Sequence, residues 1–461
     1  MLTEDTITAI ATPVGTAAIG KIRVSGSEAV KIADRVFRGV KGKSLSQTST
    51  YTALYGHVVD PHDDRVLDEV ITLVMRAPHS FTGEDVVEFD CHGGMLPLRR
   101  VLEVLLQNGA RLAEPGEFSR RAFLNGRLDL AQAEGIMEII NSQTDKALDA
   151  AVGHLQGRLS EKVNEIKDSV TSLLAHLEAS IDFPEDEIDG FESSELDRRI
   201  INIKKEIKEL LKTAEQGKLL REGVTAVIAG KPNVGKSSLL NAFLEEERAI
   251  VTEVPGTTRD VIEESISVCG IPVRLIDTAG IRETSDEVEK IGVARSREYL
   301  GRADLLLFLL DADQGITGED REIYNLIKDR PLIIVVNKSD LRADIDLEQI
   351  GDNFPGHPLH LVSVKEREGL SKLRDAIAEE ISAGGLGAEN EVLITRTRHK
   401  RALEKALKAA GRVEESLEKG MPHDFLTIDL KECLDYLGRI TGETMDEDIV
   451  ERIFADFCLG K

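Results

Sequence analysis

Val224-Thr225-Ala226-Val227-Ile228-Ala229-Gly230-Lys231-Pro232-Asn233-Val234-Gly235-Lys236-Ser237-Ser238 is the stretch that decides how this chain folds. An apolar run rich in β-branched residues feeds a loop of the form G-x-x-x-x-G-K-S, and Leu239, Leu240, Ala242, Phe243 and Leu244 then continue at helical spacing. Strand, glycine loop and helix in that order make a phosphate cradle. Gly230 and Gly235 permit a tight turn whose N–H groups, together with the helix N-terminus, face a polyphosphate. The expected nucleotide contacts here are Asn233, Val234, Gly235, Lys236, Ser237 and Ser238, with Lys236 on the β and γ oxygens and the Ser237 hydroxyl as a Mg²⁺ ligand.

Downstream pieces narrow the nucleotide to GTP. Asp277-Thr278-Ala279-Gly280 ends the apolar run Val273-Arg274-Leu275-Ile276, which sets Asp277 near the Mg²⁺ and the Gly280 amide near the γ-phosphate. Asn337-Lys338-Ser339-Asp340 follows the run Leu332-Ile333-Ile334-Val335-Val336. A carboxylate at Asp340 accepts from both N1–H and the exocyclic amine of guanine, whereas adenine has no matching donor pair and would leave the charge unpaired. Ser363-Val364-Lys365 has the character of a loop backing the base. Gly256-Thr257-Thr258-Arg259-Asp260 lies between the phosphate-loop helix and the next strand. A threonine there completes the Mg²⁺ shell only when a γ-phosphate is present, which makes the segment a switch; Thr258 is the expected ligand and Thr257 the alternative.

Composition sets the frame around this module. With 461 residues there is room for two to four domains, and 41% hydrophobic with 31% charged residues describes a soluble chain. Met1-Leu2-Thr3-Glu4-Asp5 does not begin a basic leader, and no uncharged run approaches about 18 residues, so a cytoplasmic protein without a membrane span is expected. Cys91, Cys269, Cys433 and Cys458 lie far apart, against a zinc site or disulfide framework. A net charge of -25 disfavours a surface coated with nucleic acid, so any RNA contact must be local or supplied by a partner. Arg396, Arg398, His399, Lys400 and Arg401 form the best local candidate, with a solvated helix start as the competing reading.

Along the chain, residues 1–121 carry short apolar and alternating runs broken by Gly and Pro, which predicts an α+β domain. Cys91-His92 carries no metal reading, since neighbouring strand residues point to opposite faces. From Leu128 the period becomes helical. Leu155, Leu159, Val163, Ile166, Val170, Leu173, Leu177 and Ile181 predict one long helix that Pro184 ends, and a second runs from about Leu196 to Leu220. Asp182, Glu185, Asp186 and Glu187 read as a charged surface turn rather than a metal site. The α/β G module spans about 221–383, and Ser382-Ala383-Gly384-Gly385-Leu386-Gly387 is a linker into a second helical stretch to residue 461. The expected architecture is therefore multi-domain: an α+β N-terminal domain, an all-α helical domain in two parts (122–220 and 384–461), and an inserted Ras-like P-loop domain whose two ends lie close together.

The whole chain resembles the MnmE (TrmE) family of tRNA modification GTPases. The likeness rests on Ala11-Thr12-Pro13, Gly20-Lys21-Ile22-Arg23-Val24-Ser25-Gly26, Phe81-Thr82-Gly83-Glu84-Asp85, Arg121-Ala122-Phe123-Leu124-Asn125-Gly126, the switch segment and the terminal Phe457-Cys458-Leu459-Gly460-Lys461. The family usually ends Cys-Ile-Gly-Lys, so Leu459 is a conservative departure. The resemblance implies an N-terminal domain that binds 5-formyltetrahydrofolate or a related tetrahydrofolate, with contacts at Arg23, Glu88, Arg127 and Lys461, and that forms a homodimer. It implies G domains that pair in the GTP state, and a flavin-dependent partner of the MnmG (GidA) type that carries most of the tRNA contact. The implied reaction adds a carboxymethylaminomethyl group at C5 of the wobble uridine of certain tRNAs.

The residues and the family together frame hydrolysis. Many GTPases carry Gln after the Asp-x-x-Gly turn, but this chain has Ile281, which offers no hydrogen bond to water. The family assigns water positioning to Glu289, with Arg282 as the rival, a cation for developing charge. An arginine finger contributes roughly 10³ to 10⁵ in rate, and the family replaces it with K⁺. Asn233 with Thr252, Val254 and Thr257 is the implied K⁺ shell, although Asn233 is also a natural turn former. Cys458 is read as a packed small hydrophobe or as a thiol beside the folate. A GTP-switched scaffold and a ribosome-assembly GTPase are the alternative functions.

Overall fold

In Ile19–Ser25 apolar and charged side chains alternate, and the computed structural model turns that period of two into a strand with two different faces. The structure describes residues 5–13, 15–182, 193–248, 264–277, 301, 303–342, 346–382 and 392–461. They divide into one unit of Met1–Met137, His154–Asp186 and Pro422–Lys461 and another of Glu138–Gly153 and Glu187–Met421. Among them no helix is long and apolar enough to cross a membrane.

The first unit is built on seven strands: β1 (Ile7–Ile10), β2 (Ile19–Ser25), β3 (Phe37–Gly39), β4 (Thr52–Val59), β5 (Val66–Met75), β6 (Val86–His92) and β7 (Arg111–Leu112). Their order is β3-β4-β5-β6-β2-β1-β7, antiparallel except for β1 with β7. Ile22, Val24, Val87 and Phe89 pack under the helices Ala29–Val36 and Met95–Gln107 through Val30, Ile32, Val101 and Leu105. Full burial of each large side chain there contributes about 1.5–3 kcal/mol. The opposite face presents Arg23 across from Glu88 and Lys21 across from Asp90. The helix Glu117–Leu124 closes over part of that face, with Phe118 against Ile7 and Ala9. The last residues of the chain return to the same place. Phe118 N donates to Lys461 O at 3.2 Å, and Gly460, at φ +87°, passes so close to the Ile10 carbonyl that a Cβ would collide with it.

Helices Arg158–Asp182 and His423–Thr441 pair in this unit, with Lys431 2.8 Å from Glu178. The expectation of one helix from Leu155 to Ile181 needs correction. Leu155 ends the helix Asp145–Leu155, and Gly157 at φ +86° turns the backbone before Arg158 starts the next. Ile428, on the helix His423–Thr441, is 64% exposed.

The second unit carries β8 (Val224–Ala229), β9 (Glu264–Val268), β10 (Ile271–Asp277), β11 (Leu305–Asp311), β12 (Leu332–Asn337) and β13 (Leu359–Leu361). The order is β13-β12-β11-β8-β10-β9, parallel apart from β9. Apolar runs such as Leu305–Leu310 are buried throughout because helices cover both faces of the sheet. β8, β10, β11 and β12 all end at one edge, where Gly230, Asp277, Asp311 and Asn337 leave the sheet. Ligands bind at such carboxyl edges in open α/β sheets. Helices Ser193–Lys212 and Thr397–Glu418 pair beside the module. The expected second helix is divided at Thr213, whose hydroxyl donates to Val392 O at 3.2 Å and accepts from Ile394 N at 3.1 Å, so the chain leaves the module close to where it goes in.

Candidate nucleotide and anion sites

The phosphate loop takes the backbone that its glycines allow. Gly230 has φ +147° and Gly235 φ +102°, while Asn233 sits at φ +63°, a left-handed conformation that asparagine tolerates. Val234 is buried and anchors the loop, and the helix Lys236–Arg248 begins where it closes, so its free amides and dipole point at the loop. Lys236 Nζ donates to the carbonyls of Gly230 and Lys231, each at 2.8 Å. Ser237 Oγ donates to Asp277 Oδ2 at 2.5 Å. A hydroxyl and a carboxylate meeting there are the hard oxygen donors Mg²⁺ takes. Asn233, Ser237 and Ser238 are exposed beside it.

The base loops join the same edge. Asn337 is 3% exposed; its amide donates to Val234 O at 2.8 Å and its oxygen accepts from Val364 N at 3.2 Å. One side chain thus ties the phosphate loop to the loop behind the base. Asp340 is exposed, and Ser363 Oγ donates to its Oδ1 at 2.6 Å, fixing one carboxylate oxygen and leaving the group facing outward. The Ser363 hydroxyl is set in turn by Glu366 N at 3.2 Å. Lys338, at φ +65°, reaches Asp311 at 2.7 Å, whereas Lys365 is exposed and pairs with Glu366 at 3.1 Å.

Asp311 is a site residue the motifs do not reveal. Burial alone would raise its pKa, but the Lys338 ammonium and the amides of Asp313 and Gln314 outweigh that and hold the carboxyl below its ordinary range. An acidic residue ending an all-apolar strand run is the signal that could have found it. The remaining expected residues, Thr252, Val254, Gly256, Thr257, Thr258, Thr278, Ala279, Gly280, Ile281, Arg282 and Glu289, lie outside the described residues, as does the linker from 383 to 391.

The first unit gathers a second cluster. Arg23 Nε donates to Glu88 Oε1 at 2.8 Å, and Lys21 lies 2.7 Å from Glu88 and 2.9 Å from Asp90. The guanidinium of Arg23 stands 5.0 Å from the Phe81 ring centre, with Arg127 at 5.4 Å from the same ring. Arg23 also reaches the Gly460 carbonyl at 3.4 Å. Burial and the nearby positive charge of Arg23 push the Lys461 ammonium below its ordinary pKa. Glu88 is 7% exposed; burial pushes its carboxyl up, and Arg23 and Lys21 pull it further down. The structure therefore brings Arg23 and Arg127 to the Phe81 ring and sets Glu88 and Lys461 beside Arg23; Phe81 is an aromatic to which the motifs give no role. Two guanidiniums about one ring, with the Lys461 ammonium near Arg23, suit a flat ligand bearing carboxylates. Cys458 is exposed next to this cluster, while burial pushes the Cys91 thiol up to about 12 and its neighbour His92 faces outward to Asp68 at 2.6 Å.

The basic run is largely engaged with protein. Arg396 pairs with Glu138 at 2.8 Å, Lys400 with Glu215 at 2.5 Å, and Arg398 contacts the buried His399 at 2.9 Å. Arg401 remains exposed.

Comparison with known proteins adds the following. Residues 130–458 match the model of the MnmE helical domain, and residues 6–127 match that of the GTP-binding protein TrmE N-terminus. The tRNA modification GTPase MnmE of Alkaliphilus oremlandii is 48% identical over 461 residues, covering 100% of both chains. That of Desulforamulus reducens is 50% identical over 459 residues, 99% of this chain and 100% of its own. Among solved structures, an Aquifex aeolicus Era bound to GDP and AlF₄⁻ is 30% identical, covering 40% of this chain and 66% of that one with a TM-score of 0.30.

Proposed function

This chain belongs to the MnmE family of tRNA modification GTPases, and from that premise we propose that it hydrolyses GTP to drive modification of the wobble uridine in tRNA. The observation that carries the reading is Asn337, which links the phosphate loop at Val234 to the base-backing loop at Val364, next to an outward-facing Asp340. In this reading Lys236 leaves the carbonyls of Gly230 and Lys231 to meet the β and γ oxygens. Ser237 and Thr258 would hold Mg²⁺, which would screen phosphate charge, and Asp277 would orient that shell. Asp340 would accept from the guanine edge, with Ser363 fixing its rotamer, Lys338 held by Asp311, and Lys365 closing over the base. Glu289 would orient the attacking water and Arg282 would face developing charge.

Finer features of the proposal have separate supports. A K⁺ shell at Asn233, Thr252, Val254 and Thr257 is supported by the exposed amide of Asn233 in the loop, where the ion would supply the charge an arginine finger gives elsewhere. A tetrahydrofolate bound at Arg23, Glu88, Arg127 and Lys461 is supported by the cationic, aromatic character of that cluster. Homodimerisation through the N-terminal domain is supported by Tyr55 and Ile71, cross-strand neighbours on β4 and β5 that are 52% and 50% exposed. A flavin-dependent partner of the MnmG type would supply redox chemistry and most of the tRNA contact, in the cytoplasm. Domain limits at 121, 220 and 383 complete the proposal. Mass spectrometry of wobble uridines in cells lacking the protein tests it: loss of the carboxymethylaminomethyl group is expected, and an unchanged uridine profile would refute it.

A further inference from the structure

We propose that Lys231 and Asp320 form a buried clamp that positions the phosphate loop, which makes both of them positioning residues for nucleotide binding. This rests on reading residues 230–238 as the phosphate cradle. Lys231 occupies a variable place in the G-x-x-x-x-G-K-S pattern, where phosphate chemistry asks for no second cation. Its Nζ lies 3.1 Å from Asp320 Oδ2, with the two side chains 6% and 0% exposed. Thr317 Oγ1 is 3.4 Å away.

The clamp joins two elements far apart in sequence. Asp320 is the third residue of the helix Gly318–Ile327, where it completes a capping box with Thr317. Its Oδ2 accepts from Thr317 N at 2.9 Å and Thr317 Oγ1 at 2.6 Å as well as from Lys231. Oδ1 is buried without a hydrogen-bond partner among the described residues, so the carboxylate depends on the Lys231 ammonium for its neutralising charge. The helix that holds Asp320 follows β11, while Lys231 follows β8, and the two strands are paired neighbours in the sheet. The loop is thereby fastened to the helix that follows the neighbouring strand.

The main chain of Lys231 gives the clamp its functional meaning. Its carbonyl, with that of Gly230, accepts from Lys236 Nζ, so moving Lys231 moves an acceptor that holds the phosphate-binding lysine. Gly230, one residue earlier, sits at φ +147° and passes so near β11 that an added Cβ would meet the Leu309 carbonyl at 2.6 Å. Loosening the clamp therefore disturbs the phosphate end of the site. It leaves guanine reading at Asp340 and Ser363 intact.

The test uses the full-length chain with Lys231→Met, Asp320→Asn, Lys231→Arg and the double variant Lys231→Met/Asp320→Leu. Equilibrium binding of GDP and of inosine diphosphate is measured with GDP release rates and thermal melts. Each charge-removing single variant should weaken GDP binding about tenfold or more and speed its release, the scale of one lost charged hydrogen bond. The ratio of GDP to inosine diphosphate affinity should stay unchanged, and Lys231→Arg should bind as the parent does. The double variant, which exchanges the buried pair for apolar groups, should regain the melting temperature but not the GDP affinity. GDP affinity equal to the parent's in folded single variants, or regained together with stability in the double, would show a merely structural pair and overturn the proposal. Lys236→Ala is the separate control: if it binds GDP as the parent does, the phosphate-cradle reading itself fails.

Discussion

Replacing Asn337 with alanine removes a side chain that fastens the phosphate loop to the loop behind the base. Its amide group donates to Val234 O at 2.8 Å and accepts from Val364 N at 3.2 Å, and the residue is 3% exposed. The substitution removes the partner of a buried carbonyl and of a part-buried N–H, at about 1–3 kcal/mol each when fully buried. Water entering the vacated space offsets part of that loss, so we expect about 2–4 kcal/mol, or roughly 30- to 1,000-fold in an equilibrium constant. The loss should fall on nucleotide affinity because one orphaned group belongs to the phosphate loop and the other to the loop behind the base. A titration with fluorescent GDP, run beside a melt without nucleotide, reads both quantities. GDP affinity within about twofold of the parent's, at unchanged melting temperature, would refute the reasoning.

Other outcomes follow from the same structure. Asp340→Asn should weaken GTP binding and raise the relative affinity for xanthosine triphosphate, whose exocyclic oxygen suits an amide donor; an unchanged ranking in competition binding would remove Asp340 as the base reader. Glu289→Ala should keep GDP affinity and lose turnover, and turnover should be much faster in K⁺ than in Na⁺; equal rates in the two salts would remove the potassium proposal. Arg23→Ala should abolish binding of 5-formyltetrahydrofolate in a calorimetric titration while leaving GDP affinity alone, and retained folate binding would count against that cluster. Burial alone would raise the pKa of Asp5, but Arg111 and Arg121 outweigh it and hold the carboxyl to about 2, against 3.8 ordinarily. Since the folded value is the lower one, the stabilisation is complete above about pH 4 and drains away as pH falls towards 2. Asp5→Asn should therefore cost melting temperature at about pH 6 and little at about pH 2.5, and an equal cost at both would contradict the charge argument.

The nucleotide site was legible because its signals are local. A strand, a glycine loop and a helix start lie within fifteen consecutive residues, from Val224 to Ser238, and their physics needs no tertiary information. Asn337 and Asp340 were legible for the same reason, each following a buried run. The partnership of Lys338 with Asp311 was not, since it depends on β11 and β12 lying in register. The Arg23 cluster illustrates the limit more strongly. Glu88 stands across a strand pair, and Gly460 returns from 437 residues away, so only the resemblance to a family put those residues together beforehand. Helix existence was readable from period, but the break at Gly157 was not, because an isolated glycine within a helical pattern is tolerated and does not by itself end the helix. The pairing of Lys231 with Asp320 carried no sequence signal beyond two charges in an otherwise ordinary loop and helix start.

The most direct measurement is competitive binding of GTP and ATP to the purified full-length chain in the presence of Mg²⁺. If Lys236 and Ser237 hold the phosphates and Asp340 reads the base, GTP should displace a bound guanine nucleotide and ATP should fail to do so at any comparable concentration. Equal displacement by the two triphosphates, or none by either, would contradict the account at its base.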